Sequence, residues 1–265
     1  MMKKLLNFIG RRDRWAWPHI AVMLFLVVLP LILIMGYAFT DAEGSFTLHN
    51  FVKFFTNSDA VNTFVYSLGI ALMTTMICIL LGYPAAYFMA GKQFSTPKVM
   101  AMLFILPMWI NVLLRTLATV ALFDFLHIAL DEKALMFGMV YDFLPFMILP
   151  IYNTVSKIDE HLIEAAYDLG ASTKRVYTHV ILPLTVPGIV SGITMVFIPA
   201  LTTFVISNML GGGKINLIGN IIEQEFTINS NWYLGSGLSL VMMVFIIVSM
   251  LLLQKFDKSE GQSLI

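Results

Sequence analysis

Charge is what this chain has least of. Its 16 Lys+Arg and 16 Asp+Glu make up 12% of 265 residues, where an ordinary soluble domain carries about 25%. The two signs cancel to a formal net charge of zero, so the basic surplus that a nucleic-acid binder needs is absent. There is one cysteine, Cys78, which excludes a disulfide framework or a thiolate metal cluster. The five histidines (His19, His49, His127, His161, His179) are scattered without metal-ligand spacing. No G-x-x-x-x-G-K-[ST], H-E-x-x-H or G-x-S-x-G occurs, so phosphate-loop, zinc-protease and serine-nucleophile chemistry have no foothold. What fills the chain instead is apolar: 58% hydrophobic residues, with Phe 21 and Met 18, and a mean hydropathy of +0.84. This composition excludes a soluble enzyme and a disordered chain, and reads as an all-α integral membrane protein.

A helix crossing the hydrocarbon core needs about 20 apolar residues. Six stretches meet that requirement, at residues 20–39, 62–90, 99–123, 134–156, 187–209 and 235–254. Together with their connections they form one transmembrane domain over 1–265. Lys and Arg sort strongly between the alternate loops. Twelve fall on one side: Lys3, Lys4, Arg11, Arg12, Arg14, Lys92, Lys98, Lys157, Lys174, Arg175, Lys255 and Lys258. Three fall on the other, Lys53, Lys133 and Lys214, and Arg115 lies within a span. The positive-inside rule puts both termini in the cytoplasm. The first apolar run is longer than a signal-peptide core and no A-x-A site follows, so an uncleaved anchor is expected.

Small residues recur at four-residue spacing in Gly82, Ala86 and Ala90, and again in Gly188 and Gly192. They read as close packing within the bundle rather than as a dimer motif. Six prolines inside spans (Pro30, Pro84, Pro107, Pro145, Pro150, Pro199) favour kinks. Two ionisable residues lie at membrane depth, where such groups are functional candidates. Counted from opposite faces, Arg115 sits about 24 Å up span three and Asp142 about 12 Å down span four, so the two can pair in the outer half. The pair is a candidate gate.

The loop at 157–186 reads as a helical hairpin. Asp159 and Glu160 suit a helix start, and Leu162, Ala165, Ala166 and Leu169 share one face. Gly170 ends that helix. Ser172 is placed to cap a second helix, which Pro183 and Pro187 are expected to stop before the fifth span. Glu164-Ala165-Ala166, three residues, Gly170, nine residues, Val180, one residue and Leu182-Pro183 resembles the EAA loop of ABC-importer permeases, EAA-x3-G-x9-I-x-L-P. The one departure is Val180 in place of isoleucine, which keeps a β-branched apolar side chain.

The resemblance extends further. Gly82-Tyr83-Pro84-Ala85-Ala86-Tyr87 resembles the G-Y-P-x-A stretch of type I permeases. Leu106-Pro107-Met108-Trp109-Ile110-Asn111 with Leu114-Arg115-Thr116 is similar to the P-x-W-x-N-x-L-x-R pattern of polyamine-type permeases. Leu144-Pro145-Phe146-Met147, Pro150-Ile151-Tyr152, Gly211-Gly212-Gly213 and Leu217-Ile218-Gly219-Asn220 point the same way. The resemblance implies a type I ABC importer permease fold and the role of B-type subunit in a spermidine/putrescine importer. It also implies a C-type permease paralogue, two copies of an ATPase carrying ATP-Mg, and an extracytoplasmic polyamine-binding protein. Within that family Glu164, Ala165, Ala166, Gly170, Leu182 and Pro183 would couple to the ATPase, and this chain would bind no cofactor and no nucleic acid. A cationic substrate needs carboxylates and aromatic faces; Asp124, Asp142, Glu223 and Glu225 supply carboxylates on the outer side and Trp109, Tyr141 and Trp232 supply rings, with Trp109, Asn111, Asp124, Tyr141 and Asp142 the candidates for its path. Arg115 has the wrong sign for a cation site and is assigned to gating or to a structural pair. Type I permeases for sulfate, molybdate, thiamine or ferric ion are the nearest alternatives, and a stand-alone channel or secondary transporter is the next.

Overall fold

A computed structural model describes residues 16–91 and 106–261. The first described helix, α1 (Ala16–Ala38), is followed by a short amphipathic α2 (His49–Thr56) and the 33-residue α3 (Ser58–Ala90). A 3-10 turn (Leu106–Trp109) precedes α4 (Val112–Phe125), and α5 covers Glu132–Val155. The loop hairpin contains α6 (Glu160–Asp168) and α7 (Thr173–Val176). One π-helical turn (Tyr177–Ile181) then leads without a break into α8 (Leu182–Thr202). Two shorter helices, α9 (Val205–Leu210) and α10 (Ile218–Thr227), come before α11 (Trp232–Gly261). Among the described residues the secondary structure is helical, apart from one isolated bridge between Thr40 and Phe46.

Five helical stretches are long and apolar enough to cross a membrane: Pro18–Ala38, Ser58–Ala90, Glu132–Val155, Thr173–Thr202 and Trp232–Leu253. They coincide with the first, second, fourth, fifth and sixth expected spans, with two corrections. The fifth was expected over 187–209, but the helix stops at Thr202 and a new one begins at Val205. It also begins earlier, because Pro183 and Pro187 do not stop the loop helix. The π turn shifts the register so that the Leu182 N–H donates to the Tyr177 carbonyl five residues back. Pro183, which has no donor, directly follows this shifted bond at the start of α8. The third span was expected to be continuous over 99–123. Its first residues, 99–105, lie outside the described residues, and the remainder is interrupted at Ile110–Asn111 before α4 begins.

The described residues divide into two compact units. One comprises residues up to Thr56 together with Glu225–Met243. In it, the Asn50 amide donates to the carbonyls of Ala38 and Thr40, both at 3.0 Å, and so satisfies acceptors left open at the end of α1. Gly237 of α11 meets Asn50 so closely that an added Cβ would lie 3.0 Å from the Asn50 Cβ.

The other unit, Asn57–Gln224 and Val244 onward, has α3, α5 and α8 as its core. Met147 is fully buried where the three helices meet. A Cβ on Gly82 would lie 3.0 Å from its Cγ, and one on Gly192 would lie 2.6 Å from its sulfur. One on Gly188 would lie 2.5 Å from the Thr154 hydroxyl. The small-residue stripes are therefore packing surfaces within the bundle, where backbones approach closely in the absence of side chains.

Candidate functional site

The buried polar centre of the larger unit is built by α4 and α5. Asn111 starts α4 by accepting the Leu113 N–H at 2.8 Å, which satisfies one of the open donors at the helix start. This places Arg115 in the first turns of α4, facing Asp142 in the middle of α5. The Arg115 Nε lies 3.1 Å from the Asp142 Oδ1, and the two side chains are 6% and 1% exposed. The Thr116 hydroxyl donates to the other carboxylate oxygen at 3.3 Å. The guanidinium also sits 5.9 Å from the centre of the Tyr141 ring, within cation–π range. The contact is ionic rather than hydrogen-bonded: Arg115 Nε and Nη1 and Asp142 Oδ1 are buried without hydrogen-bond partners. A charge pair held this way is tethered without being fully satisfied.

Of the other path candidates, Tyr141 lies beside this pair, and Trp109 and Asp124 do not gather around it. Trp109 is 86% exposed at the 3-10 turn. Asp124 is nine residues beyond Arg115, about 14 Å along α4 and on the opposite, exposed face. Tyr141 is partly exposed beside the pair. Glu223 belongs to the same unit, whereas Glu225 and Trp232 belong to the smaller one. Glu225 accepts the Asn229 amide at 2.9 Å.

The loop hairpin is formed from local signals. Asp159 caps α6 by accepting the His161 N–H at 3.0 Å. The helix ends in a Schellman turn: the Gly170 N–H donates to the Tyr167 carbonyl and the Ala171 N–H to the Ala166 carbonyl, at 2.8 and 3.1 Å. Gly170 adopts φ +80°, a conformation glycine takes at little steric cost. Ser172 occupies the cap position of α7, as expected, but its hydroxyl makes no capping hydrogen bond. No residue of α6 is buried. Leu162 is 51% and Leu169 89% exposed, so the apolar face identified from the sequence is left uncovered. Glu164 lies on the same helix, its carboxylate 3.3 Å from His161 Nδ1 at the surface.

Behind this face, the loop is anchored to the membrane helices by aromatic packing. Tyr177, in the π turn, lies edge-on to both Tyr83 and Tyr87 of α3, with ring centres at 6.3 and 5.7 Å. The Tyr83 hydroxyl is also 3.1 Å from that of Thr185. The Gly82–Tyr87 stretch is thus the seat of the loop's exit helix.

One centre was not legible from composition or spacing. Asn220, fully buried, has every hydrogen-bonding position filled. Its oxygen accepts from the Ser207 hydroxyl at 2.6 Å and the Leu217 N–H at 2.8 Å. Its nitrogen donates to the Phe204 carbonyl at 3.2 Å and the Asn208 oxygen at 2.6 Å. The Ile218 N–H donates to Ser67 of α3 at 2.8 Å. This knot holds the chain where α8 gives way to α9. Its signal in the sequence was the family-like Leu217-Ile218-Gly219-Asn220, which marks the position without explaining it.

Residues 79–261 match the family model described as a binding-protein-dependent transport system inner membrane component. The chain is 36% identical to the spermidine/putrescine transport system permease protein PotB of Haemophilus influenzae, over 84% of this chain and 85% of that one. It is 34% identical to PotB of Escherichia coli K12, over 84% and 89%. Among solved structures it is similar to a chain of a bacterial ABC transporter involved in import of the acidic polysaccharide alginate. There the TM-score is 0.73 with 16% identity, covering 97% of this chain and 99% of that one, a likeness of fold. With most of its length matched, this chain belongs to the inner-membrane components of binding-protein-dependent transport systems.

Proposed function

We propose that this chain is the membrane-spanning permease subunit of an ATP-driven importer for polyamines, spermidine or putrescine. The observation that carries this reading is its 36% and 34% identity, over 84% of its length, to two permeases named for spermidine/putrescine transport. ATP hydrolysis belongs to a separate ATPase present in two copies and holding ATP-Mg. This chain binds no cofactor and catalyses no reaction itself. A C-type permease paralogue completes the pathway, and an extracytoplasmic binding protein delivers the substrate. The chain crosses the membrane six times with both termini in the cytoplasm.

The uncovered face of α6 supports docking of the ATPase there, with Ala165 and Ala166 allowing close approach and Glu164 offering a charge. Gly170 sets the turn between α6 and α7, and Leu182-Pro183 open α8. Because the loop's second helix passes directly into α8, a displacement of the loop is carried into the membrane along one continuous helix. Tyr177 between Tyr83 and Tyr87 carries the same displacement to α3. The Arg115–Asp142 pair is the gate element that responds. Trp109, Asn111, Asp124 and Tyr141 are the candidates for contact with the polyamine.

The test is uptake of radiolabelled spermidine and putrescine into proteoliposomes holding this chain with its co-encoded partners. Sulfate and thiamine serve as controls. Polyamine uptake that requires both ATP and the binding protein is expected. Uptake of a different solute would sink the substrate assignment and keep the transporter class. Uptake by this chain alone would sink both.

A further inference from the structure

A buried ion pair is tolerated when its geometry is good and further hydrogen bonds fill the positions left over on both partners. The Arg115–Asp142 pair does not meet that standard. Its closest approach is 3.1 Å, with the side chains 6% and 1% exposed. Yet among the described residues Nε and Nη1 of the arginine and Oδ1 of the aspartate have no hydrogen-bond partner. The other carboxylate oxygen, Oδ2, has the Thr116 hydroxyl at 3.3 Å. That hydroxyl also donates to the Val112 carbonyl at 2.8 Å, so its single hydrogen is shared and Asp142 receives the longer part. An ionised carboxylate only accepts, at about four lone-pair positions. Asp142 is therefore a buried acceptor short of donors, held to its cation by charge rather than by fit.

Beside this carboxylate stands an aromatic wall. Tyr141 precedes Asp142 in α5, and the guanidinium carbon of Arg115 is 5.9 Å from its ring centre. One turn back, the Phe137 ring stacks on Tyr141 at 6.3 Å, with 10° between the planes. Both residues are open, Phe137 at 52% and Tyr141 at 41%. A face that carries a guanidinium at membrane depth borders protein or a water-filled cavity rather than lipid. The guanidinium is within reach of both the buried carboxylate and the open ring, the two kinds of group that hold an organic cation. Arg115 has the wrong sign to receive such a cation; it sits where one would bind.

We propose that Asp142 and the Tyr141 ring form a site for the terminal ammonium of the substrate, which Arg115 occupies as a tethered stand-in until that ammonium displaces it. A primary ammonium carries three rotatable donors on a compact head, so it fills the Oδ1 position that the rigid guanidinium fork leaves empty. Throughout the exchange Asp142 keeps a cation, so no buried charge is stranded. Departure of Arg115 breaks the ionic tie between α4 and α5, which gives the gate its trigger. The exchange rests on the polyamine reading, because a substrate without an ammonium group cannot perform it.

The test is direct binding of radiolabelled putrescine, without the binding protein, to the transporter assembled with its co-expressed ATPase and second permease in lipid nanodiscs. Arg115→Met removes the stand-in and keeps most of its volume. It should bind putrescine about tenfold or more tightly than the wild type, the worth of a hydrogen bond to a charged group. Ethylammonium chloride should compete, and sodium chloride at equal ionic strength should not. Arg115→Lys, which keeps a tethered cation, should bind as weakly as the wild type, and Arg115→Met/Asp142→Asn should lose the gain. Tyr141→Leu added to Arg115→Met should weaken binding about two- to fivefold, the worth of one cation–π contact. No gain in Arg115→Met would overturn the proposal, and is the result if water or a side chain of the second permease fills the pocket. A gain that survives Asp142→Asn would overturn it too. Where Arg115→Met does not assemble, the neutral and nearly isosteric Arg115→Gln/Asp142→Asn decides, and putrescine uptake at wild-type half-saturation sinks the exchange. Wild-type uptake measured in parallel separates the two readings. If the wild type imports putrescine while the variants do not respond, only the exchange is lost; if it imports no polyamine, the substrate assignment falls and the exchange with it.

Discussion

Arg115 and Asp142 show how a membrane interior changes the worth of a single side chain. Each charge is nearly out of contact with solvent, and each owes its tolerance to the other. Removing one partner strands the remaining charge, which costs about 3–5 kcal/mol, whereas replacing both with apolar residues of similar volume is neutral or stabilising. Asp142→Leu should therefore lower the melting temperature of the purified chain more than Arg115→Met/Asp142→Leu does. A double-mutant cycle on thermal unfolding checks this. Coupled measurements of ATPase activity and uptake in the assembled transporter separate structure from gating. If the pair is a gate, the double variant is stable but hydrolyses ATP without moving substrate. If it transports normally, the pair is structural only. Asp142→Asn offers a milder form of the same test, because it keeps the shape and removes the charge; unchanged stability and kinetics would remove the pair from the mechanism.

At the level of the element, the loop hairpin is the part where local sequence rules carried furthest. Asp159 as cap, Gly170 as terminator and the Leu162–Leu169 face all follow from short-range chemistry, and each is found in place. Proline rules carried less far. Pro183 reads as a stop because an interior proline breaks the bonding ladder, yet the helix runs through it after the π turn at Tyr177–Ile181, whose Tyr177 packs against Tyr83 and Tyr87. The breaks at Ile110–Asn111 and Thr203–Phe204 were likewise invisible to hydropathy, which weighs composition and not backbone path. The second break depends on Asn220, whose partners lie up to sixteen residues away in the chain. Two substitutions test the hairpin. Leu169→Asp adds a charge at a position 89% exposed, so the melting temperature of the isolated chain should stay within about 0.5 kcal/mol equivalent of the parent. The ATPase, however, should no longer co-purify. Gly170→Ala meets no neighbouring atom within 4 Å, so its cost is the left-handed backbone alone, about 1–2 kcal/mol. It should leave the chain folded and lower transport by altering the turn after α6. Normal co-purification of Leu169→Asp with the ATPase would show that this face docks nothing.

For the molecule as a whole, the property with the greatest mechanical consequence is which way it points. The division of basic residues, twelve against three, argues that the 157–186 loop faces the cytoplasm. That orientation puts the uncovered apolar face of the hairpin, with Leu169 at its tip, on the side where the proposed ATPase would dock. Six crossings would then place the turn between α10 and α11, around Asn229 and Ser230, on the opposite side. Cys78 is the chain's one cysteine and is fully buried, which makes a single-reporter experiment clean, since a membrane-impermeant maleimide cannot reach it. Cysteines introduced singly at Leu169 and at Asn229 should label from opposite faces of sealed, right-side-out vesicles, Asn229 directly and Leu169 only after permeabilisation. If Leu169 labels from outside, the orientation is inverted, and the ATPase cannot dock on the face assigned to it. If both label from the same side, the number of crossings between residues 169 and 229 is even, and the chain does not complete the fifth crossing as a through-going span.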